Sequence, residues 1–298
     1  MFDSNIITII VVTDNHYVIL LAALLKSIEK NHKSAEKIHL YIVEDKVNNK
    51  NKIKLRASVC PIMITIHWVK MTSVIPAGVR LPIDLTSYPL NIYVRLFSPN
   101  IVPSGTEKAL FLDVDLIFME DISKIWNTQL GNNVLGAVQD SRILSFDNSW
   151  GGILNYQKLG FDPNTKYFNT GLLLININMW KKQQLTQRTL NCVNQNIKYA
   201  NYPEQYGLNV VLANQWIELD ARWNYFATGD LEGPFVIHFI SRKPIYKSYN
   251  NNLHYKEIFY NYLKLTLYKS TKPVYELNRY IKKFNNVRVK VWHRLFVN

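Results

Sequence analysis

Lys108-Ala-Leu-Phe-Leu-Asp-Val-Asp115 is the stretch of this sequence that most constrains the fold. Its apolar run, Ala109 to Leu112, predicts a strand that is buried on both faces. Asp113 and Asp115 follow with one residue between them, so in extended chain both carboxylates leave the same face. Ligands collect at the carboxyl ends of strands in open α/β sheets, and Mg²⁺ and Mn²⁺ bind carboxylate oxygens together with substrate phosphates. The stretch therefore predicts a divalent-cation site at a sheet edge.

An isolated Asp-x-Asp pair is weak evidence, because a chain of 298 residues with 12 aspartates has a fair chance of containing one. This pair gains weight from its position at the end of a buried strand. Two uncompensated charges would be costly there, and a bound cation removes that cost.

The residues before this stretch predict a parallel, Rossmann-like sheet. Apolar strands alternate with helical segments in a β-α-β-α-β order: Ile6–Val12, Val18–Lys30, Ile38–Val43, Asn48–Val59 and Ile62–Val69. The loop at residues 13–17 follows the first strand and is a candidate ligand site. The Gly-x-Gly-x-x-Gly pattern is absent, which disfavours a dinucleotide oxidoreductase.

The residues after the stretch continue the α/β pattern, and residues 141–164 predict an irregular loop over the site. The predicted elements are a short helix at Tyr93–Phe97, a capped helical turn at Asp121–Trp126, strands at Val134–Val138, Tyr167–Asn176 and Phe235–Phe239, and helices at Met179–Tyr199 and Glu204–Leu212.

Composition indicates a globular chain with a large core. The sequence is 48% hydrophobic, and its longest strictly apolar run, Val18 to Leu25, is too short to span a membrane. The N-terminus has no basic segment of the kind that begins a secretory signal. Cys60 and Cys192 have no motif spacing, so we expect no disulfide and a reducing compartment.

The net charge of +13 is concentrated at the C-terminus, where residues 264–298 carry nine Lys or Arg and one acid, Glu276. We therefore predict two units, a main domain at residues 1–263 and a basic aromatic tail at 264–298. Two segments have helical composition: Tyr255–Tyr268, which runs into the tail, and Val274–Phe284, which is followed by Asn285–Phe296. Cations mixed with Trp and Phe suit an anionic membrane surface. The alternative is a solvated basic helix that packs on the domain.

Four segments in this order resemble glycosyltransferase family 8, a family of retaining nucleotide-sugar transferases. They are Val12-Thr-Asp-Asn-His-Tyr17, Phe111-Leu-Asp-Val-Asp115, Tyr167-Phe-Asn-Thr-Gly-Leu-Leu-Leu-Ile-Asn176 and His238-Phe-Ile-Ser-Arg-Lys-Pro244. The resemblance implies an α/β, Rossmann-like fold of the A type with a mixed central sheet. It also implies a UDP-sugar donor and a bound divalent cation.

By this resemblance, Asp113, Asp115 and His238 hold Mn²⁺, with Mg²⁺ as the other candidate. The cation faces the donor diphosphate, together with Val114, Ser241 and Lys243. A lone histidine at a strand end is more often structural, but a fixed cation beside it suits a phosphate.

The resemblance places the nucleoside in the first strand-end loop. Asp14 would accept from uracil N3–H and Tyr17 would stack on the base, with Val12, Thr13 and His16 near base and ribose. The alternative for Asp14 is a cap on the following helix.

The remaining donor contacts implied by the resemblance lie on later elements. Arg95 resembles a donor-binding arginine, although an arginine on an apolar helix can simply snorkel to solvent. Asn169, Thr170 and Asp140 correspond to contacts with the donor sugar, and their alternative role is turn capping.

Two residues compete for the position opposite the leaving group. We favour front-side attack, in which Gln205 stabilises positive charge at the anomeric carbon, over a route with Glu204 as nucleophile. The chain departs from the family pattern in three places: Ser241 replaces a glycine, Ile245 a tryptophan and Tyr206 a carboxylate.

The expected activity is metal-dependent, retaining transfer of glucose or galactose from a UDP-sugar to lipopolysaccharide or another cell-surface glycan. The expected location is the cytoplasmic face of the membrane, held peripherally by the tail. A nucleic-acid module needs basic residues mixed with aromatics on a recognised scaffold. The tail has that mixture, but the intact acid pair and donor loop favour an enzyme, and no nucleic-acid partner is expected. The alternative function is a non-catalytic binder of nucleotide sugars or polyanions.

Overall fold

The computed structural model describes residues 6–84, 86–229 and 232–296. Within them, seven strands form a central sheet in the order β3-β2-β1-β4-β7-β6-β8, and β5, β10 and β9 form a small second sheet. The strands are β1 Ile6–Asp14, β2 Lys37–Asp45, β3 Ile64–Lys70, β4 Lys108–Leu112, β5 Leu116–Phe118, β6 Leu135–Gln139, β7 Phe168–Asn176, β8 Ile217–Glu218, β9 Tyr225–Phe226 and β10 Val236–His238.

Helices pack on both faces of the central sheet. The α-helices are α1 Val18–Asn31, α2 Asn49–Arg56, α3 Met71–Val74, α4 Ser98–Ile101, α5 Ile122–Trp126, α6 Ile177–Lys182, α7 Leu185–Gln195, α8 Pro203–Val211, α9 Leu253–Lys264 and α10 Leu277–Phe296. Short 3₁₀ helices occupy Leu90–Phe97, Ile197–Tyr199 and Ala221–Asn224. The predicted α/β class with a mixed central sheet is confirmed.

The order of the strands brings two separate loops to one edge. β1 lies between β2 and β4 and pairs parallel with both, with Ile9 opposite Leu110. The carboxyl ends of β1 and β4 therefore meet at the same edge of the sheet. Asp14 ends β1 and Asp113 follows β4, so ligand-binding groups from both strands share that edge.

Antiparallel strands bring further residues to the same edge of the sheet. β7 pairs antiparallel with β4, and the Asp113 N–H donates to the Gly171 carbonyl at 2.8 Å. In the small sheet, β10 pairs antiparallel with β5 and places His238 opposite Leu116. This pairing sets the imidazole beside Asp115.

One predicted helix is wrong in its extent. The structure divides Met179–Tyr199 into α6, α7 and a 3₁₀ turn. Asn176 starts α6 by accepting a hydrogen bond from the Met179 N–H at 3.0 Å. Gln184 then adopts a left-handed conformation, with φ of 51°, which breaks the helical path.

The basic tail folds back onto the domain. α10 is one continuous helix, so Asn285–Phe296 extends the predicted helical segment rather than forming a separate one. Lys290 is 3% exposed, and its ammonium lies 2.6 Å from Asp84 Oδ1. Side chains 278, 293, 294 and 296 of the tail, and all of residues 297–298, lie outside the described residues. No described helix combines the length and apolarity needed to cross a membrane.

Candidate metal centre and ligand cleft

A cavity of about 580 Å³ opens where the strand ends meet. Its size is in the range of small-molecule sites. All but two of the predicted site residues line it: Val12, Thr13, Asp14, Tyr17, Arg95, Asp113, Asp115, Asp140, Asn169, Thr170, Glu204, Gln205, His238, Ser241 and Lys243. Segments far apart in sequence therefore form one site, as expected from the strand order.

Asp113, Asp115 and His238 offer one ligand atom each, and these atoms lie within 4.8 Å of one another. His238 Nε2 lies 3.5 Å from Asp115 Oδ1, and Nδ1 lies 2.8 Å from the amide oxygen of Asn224. Because that oxygen can only accept, the tautomer that binds a metal carries its proton on Nδ1 and has the Nε2 lone pair available beside the carboxylates. Metal-binding histidines are held in this way, so the three side chains fit a divalent cation.

Two cations balance the acid pair. The Lys243 ammonium contacts Asp115 Oδ2, and Arg95 Nη2 lies 2.8 Å from Asp113 Oδ1. Burial of Asp115 opposes its ionisation, but Lys243 and His238 outweigh burial and hold its pKa below the ordinary value. The centre is therefore set up to keep Asp115 ionised, as a metal ligand must be.

Arg95 is a buried residue that connects several parts of the cleft. It is only 6% exposed, which excludes the alternative of snorkelling to solvent. Its guanidinium donates to Asp113 and to the Thr170 carbonyl and lies over the Phe111 ring, 4.8 Å from the centroid. Arg95 therefore ties the metal centre to the strand that carries Thr170.

Gln205 and Glu204 approach the cleft from the first turn of α8. Gln205 Oε1 accepts from the Thr170 N–H at 2.9 Å, and its amide donates to the Tyr167 hydroxyl at 3.1 Å. Glu204 Oε1 accepts from the Thr170 hydroxyl at 3.2 Å and lies 3.5 Å from Arg95 Nε. Burial raises the pKa of Glu204 above its ordinary value, although Arg95 opposes the shift.

Asn169 and Asp140 combine turn capping with access to the cleft. Asp140 Oδ1 accepts from the backbone N–H groups of Arg142 and Ile143, at 2.8 and 3.0 Å. Its other oxygen faces the cleft and accepts from Asn169 Nδ2 at 2.9 Å. The two interpretations of these residues are therefore compatible.

Asp14 fixes the turn after β1. Its Oδ1 accepts from the backbone N–H groups of His16 and Tyr17, at 3.0 and 2.9 Å. Tyr17 lines the cleft, whereas His16 does not and instead contacts the Tyr246 hydroxyl at 2.9 Å. Val114 is the other predicted residue outside the cleft wall, because its side chain packs in the core.

Two backbone features shape the metal centre. Ser241 has φ of 62°, the left-handed conformation in which the family pattern has glycine. Gly171 packs directly against the His238 ring, so a Cβ at this position would collide with Cε1. The close approach explains why the entry to β7 contains glycine.

Several residues of the site carry no signal in the sequence. Asn224 belongs to no recognisable motif, and its role follows only from its contact with His238. Tyr88, Trp150 and Tyr202 form an aromatic group at the cleft mouth, with Tyr202 5.8 Å from Tyr88 and 6.0 Å from Trp150 between ring centroids. Four residues of α10 also line the cleft: Arg279, Lys282, Lys283 and Asn286.

Comparison with known proteins places this arrangement in a family. Residues 8–273 match the sequence profile described as glycosyl transferase family 8. The chain belongs to that family. Membership and the shared fold support a glycosyltransferase, as the four motifs predicted.

The chain is similar to proteins of diverse bacteria. It is 22% identical over 290 residues to general stress protein A of Bacillus subtilis, covering 89% of this chain and 96% of that protein. It is 28% identical over 225 residues to a putative glycosyltransferase of Haemophilus influenzae, covering 76% of this chain and 65% of that protein.

Solved structures confirm the fold of the family 8 chain. Galactosyltransferase LgtC, crystallised with donor and acceptor sugar analogs, superposes with a TM-score of 0.73. The two sequences are 22% identical, and the match covers 88% of this chain and 96% of LgtC. The predicted A-type fold is therefore confirmed.

Proposed function

We propose that this chain transfers glucose or galactose from a UDP-sugar to a glycan acceptor, with retention of configuration and with Mn²⁺ or Mg²⁺ bound. The observation that carries the proposal is the meeting of Asp113, Asp115 and His238 at one end of a cleft of about 580 Å³, with Lys243 beside them. Oxygen and nitrogen ligands suit a divalent cation, and a fixed ammonium beside them suits a diphosphate.

The reaction exchanges one bond at the anomeric carbon for another. The acceptor hydroxyl oxygen bonds to C1 on the face from which the diphosphate oxygen leaves. The C1–O electron pair goes to the β-phosphate of UDP, and the hydroxyl proton passes to a phosphate oxygen. A bound cation would supply positive charge to the departing diphosphate.

The protein residues orient the donor and shield its sugar. Lys243 and the Ser241 backbone N–H hold the diphosphate, while Asp140, Asn169 and Thr170 hold the sugar hydroxyls. Gln205 lies below the sugar, where its carboxamide stabilises the charge that develops on C1. Asp14 and Tyr17 take the uracil, which selects a uridine donor over a guanosine donor.

The acceptor enters past the aromatic group at the cleft mouth. Trp150 is 57% exposed, and Tyr88 and Tyr202 stand next to it. Sugar rings present an apolar face that packs on aromatic rings, so this group suits a glycan. Lipopolysaccharide or another cell-surface glycan is the acceptor that we propose.

Donor turnover tests this function directly. The purified chain should hydrolyse UDP-glucose or UDP-galactose slowly without acceptor and faster with one, but not GDP-mannose. Asp113→Asn should abolish turnover, whereas Asp162→Asn, at an exposed loop residue outside the cleft, should not change it. Unchanged turnover in excess chelator would contradict the metal dependence. UDP binding without any turnover would indicate the alternative, a non-catalytic binder.

We also propose that the tail, residues 264–298, attaches the domain to the cytoplasmic face of a membrane. Apolar side chains of α10 point outward, including Phe284, which is 70% exposed. Cys60 and Cys192 are free thiols, which suits a reducing compartment. Phe284→Glu should weaken flotation with anionic vesicles, whereas Ile62→Glu, at an 81% exposed position outside the tail, should not. Equal flotation of both variants would contradict attachment through the tail.

A further inference from the structure

The polar side of α10 faces the domain, and its apolar side faces solvent. A helix that packs on a domain normally buries its apolar side. Here the side turned to the domain carries Lys282, Asn286 and Lys290, each with a hydrogen-bond partner there. The exposed side carries large apolar residues: Leu277, Tyr280, Ile281, Phe284, Val287, Val291, Trp292 and Leu295.

Lys282 contacts the two residues that we propose bind the uracil of the donor. Its ammonium forms an ion pair with Asp14 Oδ2 and lies over the Tyr17 ring, 3.4 Å from the centroid. Asp14 Oδ1 already accepts two backbone N–H groups, so Oδ2 is the oxygen left for a ligand. A uracil that paired with Asp14 and stacked on this ring face would have to displace Lys282.

Two further residues of α10 hold it across the cleft. Asn286 Nδ2 donates to the Ser87 carbonyl at 3.0 Å, and Lys290 pairs with the buried Asp84. Lys290 also donates to the Thr86 carbonyl at 3.1 Å. Ser87 and Thr86 line the ligand cavity, so these contacts close one wall of the site.

The Lys282 ammonium loses hydration where it contacts Asp14. Burial lowers the pKa of the Lys282 ammonium from its ordinary value, although Asp14 opposes the shift. Asp45 also opposes the shift, and Lys243, at the metal centre, adds a smaller repulsion. A cation held against burial and repulsion is released more readily than a fully compensated ion pair.

We propose that α10, Leu277–Phe296, closes the nucleobase end of the cleft and must move for a uridine donor to bind. We call this segment the latch. The proposal rests on the proposed UDP-sugar donor. Lys282 and uracil then bind the same two residues, Asp14 and Tyr17, so the latch and the donor compete for one site.

The partner that draws the latch away is an anionic lipid surface. No residue of 277–296 is acidic, and the exposed apolar side can insert at the headgroup boundary. In that position Lys282 leaves Asp14 and Lys290 leaves Asp84. Both ammonium groups then pair with lipid phosphates. Donor binding is thereby favoured at the membrane surface.

Calorimetric titration of the full chain with UDP and Mn²⁺ tests the competition. Lys282→Ala should bind UDP about two- to fivefold more tightly than the wild type, the range for loss of one competing ion pair. Arg288→Ala removes the same charge from an exposed position of the same helix and should leave the UDP affinity unchanged. Weaker UDP binding by Lys282→Ala would overturn the latch and make Lys282 a donor contact instead.

Hydrogen exchange shows whether the helix moves. UDP with Mn²⁺ should raise amide exchange across Leu277–Phe296, and slower or unchanged exchange would overturn the latch. Phosphatidylglycerol vesicles should increase the UDP affinity of the wild type towards that of Lys282→Ala, whereas phosphatidylcholine vesicles should not. An equal effect of both lipids, or of neither, would overturn the lipid coupling. Absence of UDP binding to both proteins would instead reject the proposed donor.

Discussion

The amide oxygen of Asn224 lies 2.8 Å from Nδ1 of His238, on the side of the imidazole away from Asp115. The Asn224 amide nitrogen donates in turn to Asn169 Oδ1 at 2.9 Å, and Asn169 donates to Asp140. Asn224 therefore orients the proposed metal ligand and connects it to the residues proposed to hold the donor sugar.

Asn224→Ala should weaken Mn²⁺ binding about 10- to 100-fold, because the imidazole loses the acceptor that fixes its tautomer and orientation. Asn224→Asp keeps an acceptor at the same position and should retain most of the affinity. Mn²⁺ titration followed by electron paramagnetic resonance measures free ion directly, without relying on turnover. Equal Mn²⁺ affinity in the alanine variant and the wild type would remove this role.

Much of the fold was predictable because its first half follows a strict alternation of apolar strands and helices. The boundaries of β1, α1, β2 and β4 agree with the prediction to within two residues at most ends. The strand that leads to Asp113 could be identified because full burial requires an unbroken apolar run.

Other features depended on contacts that no local pattern records. The break at Gln184 arises from a left-handed backbone conformation of a residue with ordinary helix propensity. Asn224 acts through a partner 14 positions away. The tail showed helical composition, but composition alone does not indicate that its polar side would pack on the cleft.

Ser241 should tolerate glycine and reject a β-branched residue. Its φ of 62° is costly for side chains with a Cβ, and most costly for a β-branched residue. Ser241→Gly should leave the free energy of unfolding within about 1 kcal/mol, because relief of strain offsets the entropy of the unfolded glycine. Ser241→Val should lose about 1–3 kcal/mol.

Urea unfolding of the two variants measures this difference. Ser270→Val is the matched control, since Ser270 is exposed and does not have a positive φ. A loss in Ser270→Val as large as in Ser241→Val would show that backbone conformation is not the cause.

Glu204→Gln should stabilise the protein more at high pH than at low pH. Burial raises the folded pKa of Glu204 above its ordinary value of 4.5, so the folded state favours the protonated form. That contribution is fully present below pH 4.5 and is lost as the pH rises through the folded pKa. Glutamine is neutral throughout and keeps an acceptor for the Thr170 hydroxyl, so it avoids this loss.

Calorimetry of both proteins at pH 4 and pH 8 checks the sign. The difference in Tm, variant minus wild type, should be more positive at pH 8, and 1 kcal/mol corresponds to roughly 2–3 °C at this chain length. A difference that does not change with pH would mean that the pKa of Glu204 is not raised.

Front-side attack predicts opposite sensitivities at two adjacent residues. Glu204→Gln should keep transfer within about tenfold of the wild type, because glutamine preserves the bond from Thr170 and no nucleophile is lost. Gln205→Ala should lower kcat about 10²- to 10³-fold with a smaller change in KM, since charge at the anomeric carbon develops only in the transition state. Gln157→Ala, at an exposed position outside the cleft, controls for loss of a carboxamide.

Intact-mass measurement of the wild type with UDP-sugar should show no added hexose. A hexose adduct on Glu204, together with loss of turnover in Glu204→Gln, would establish the double-displacement route instead.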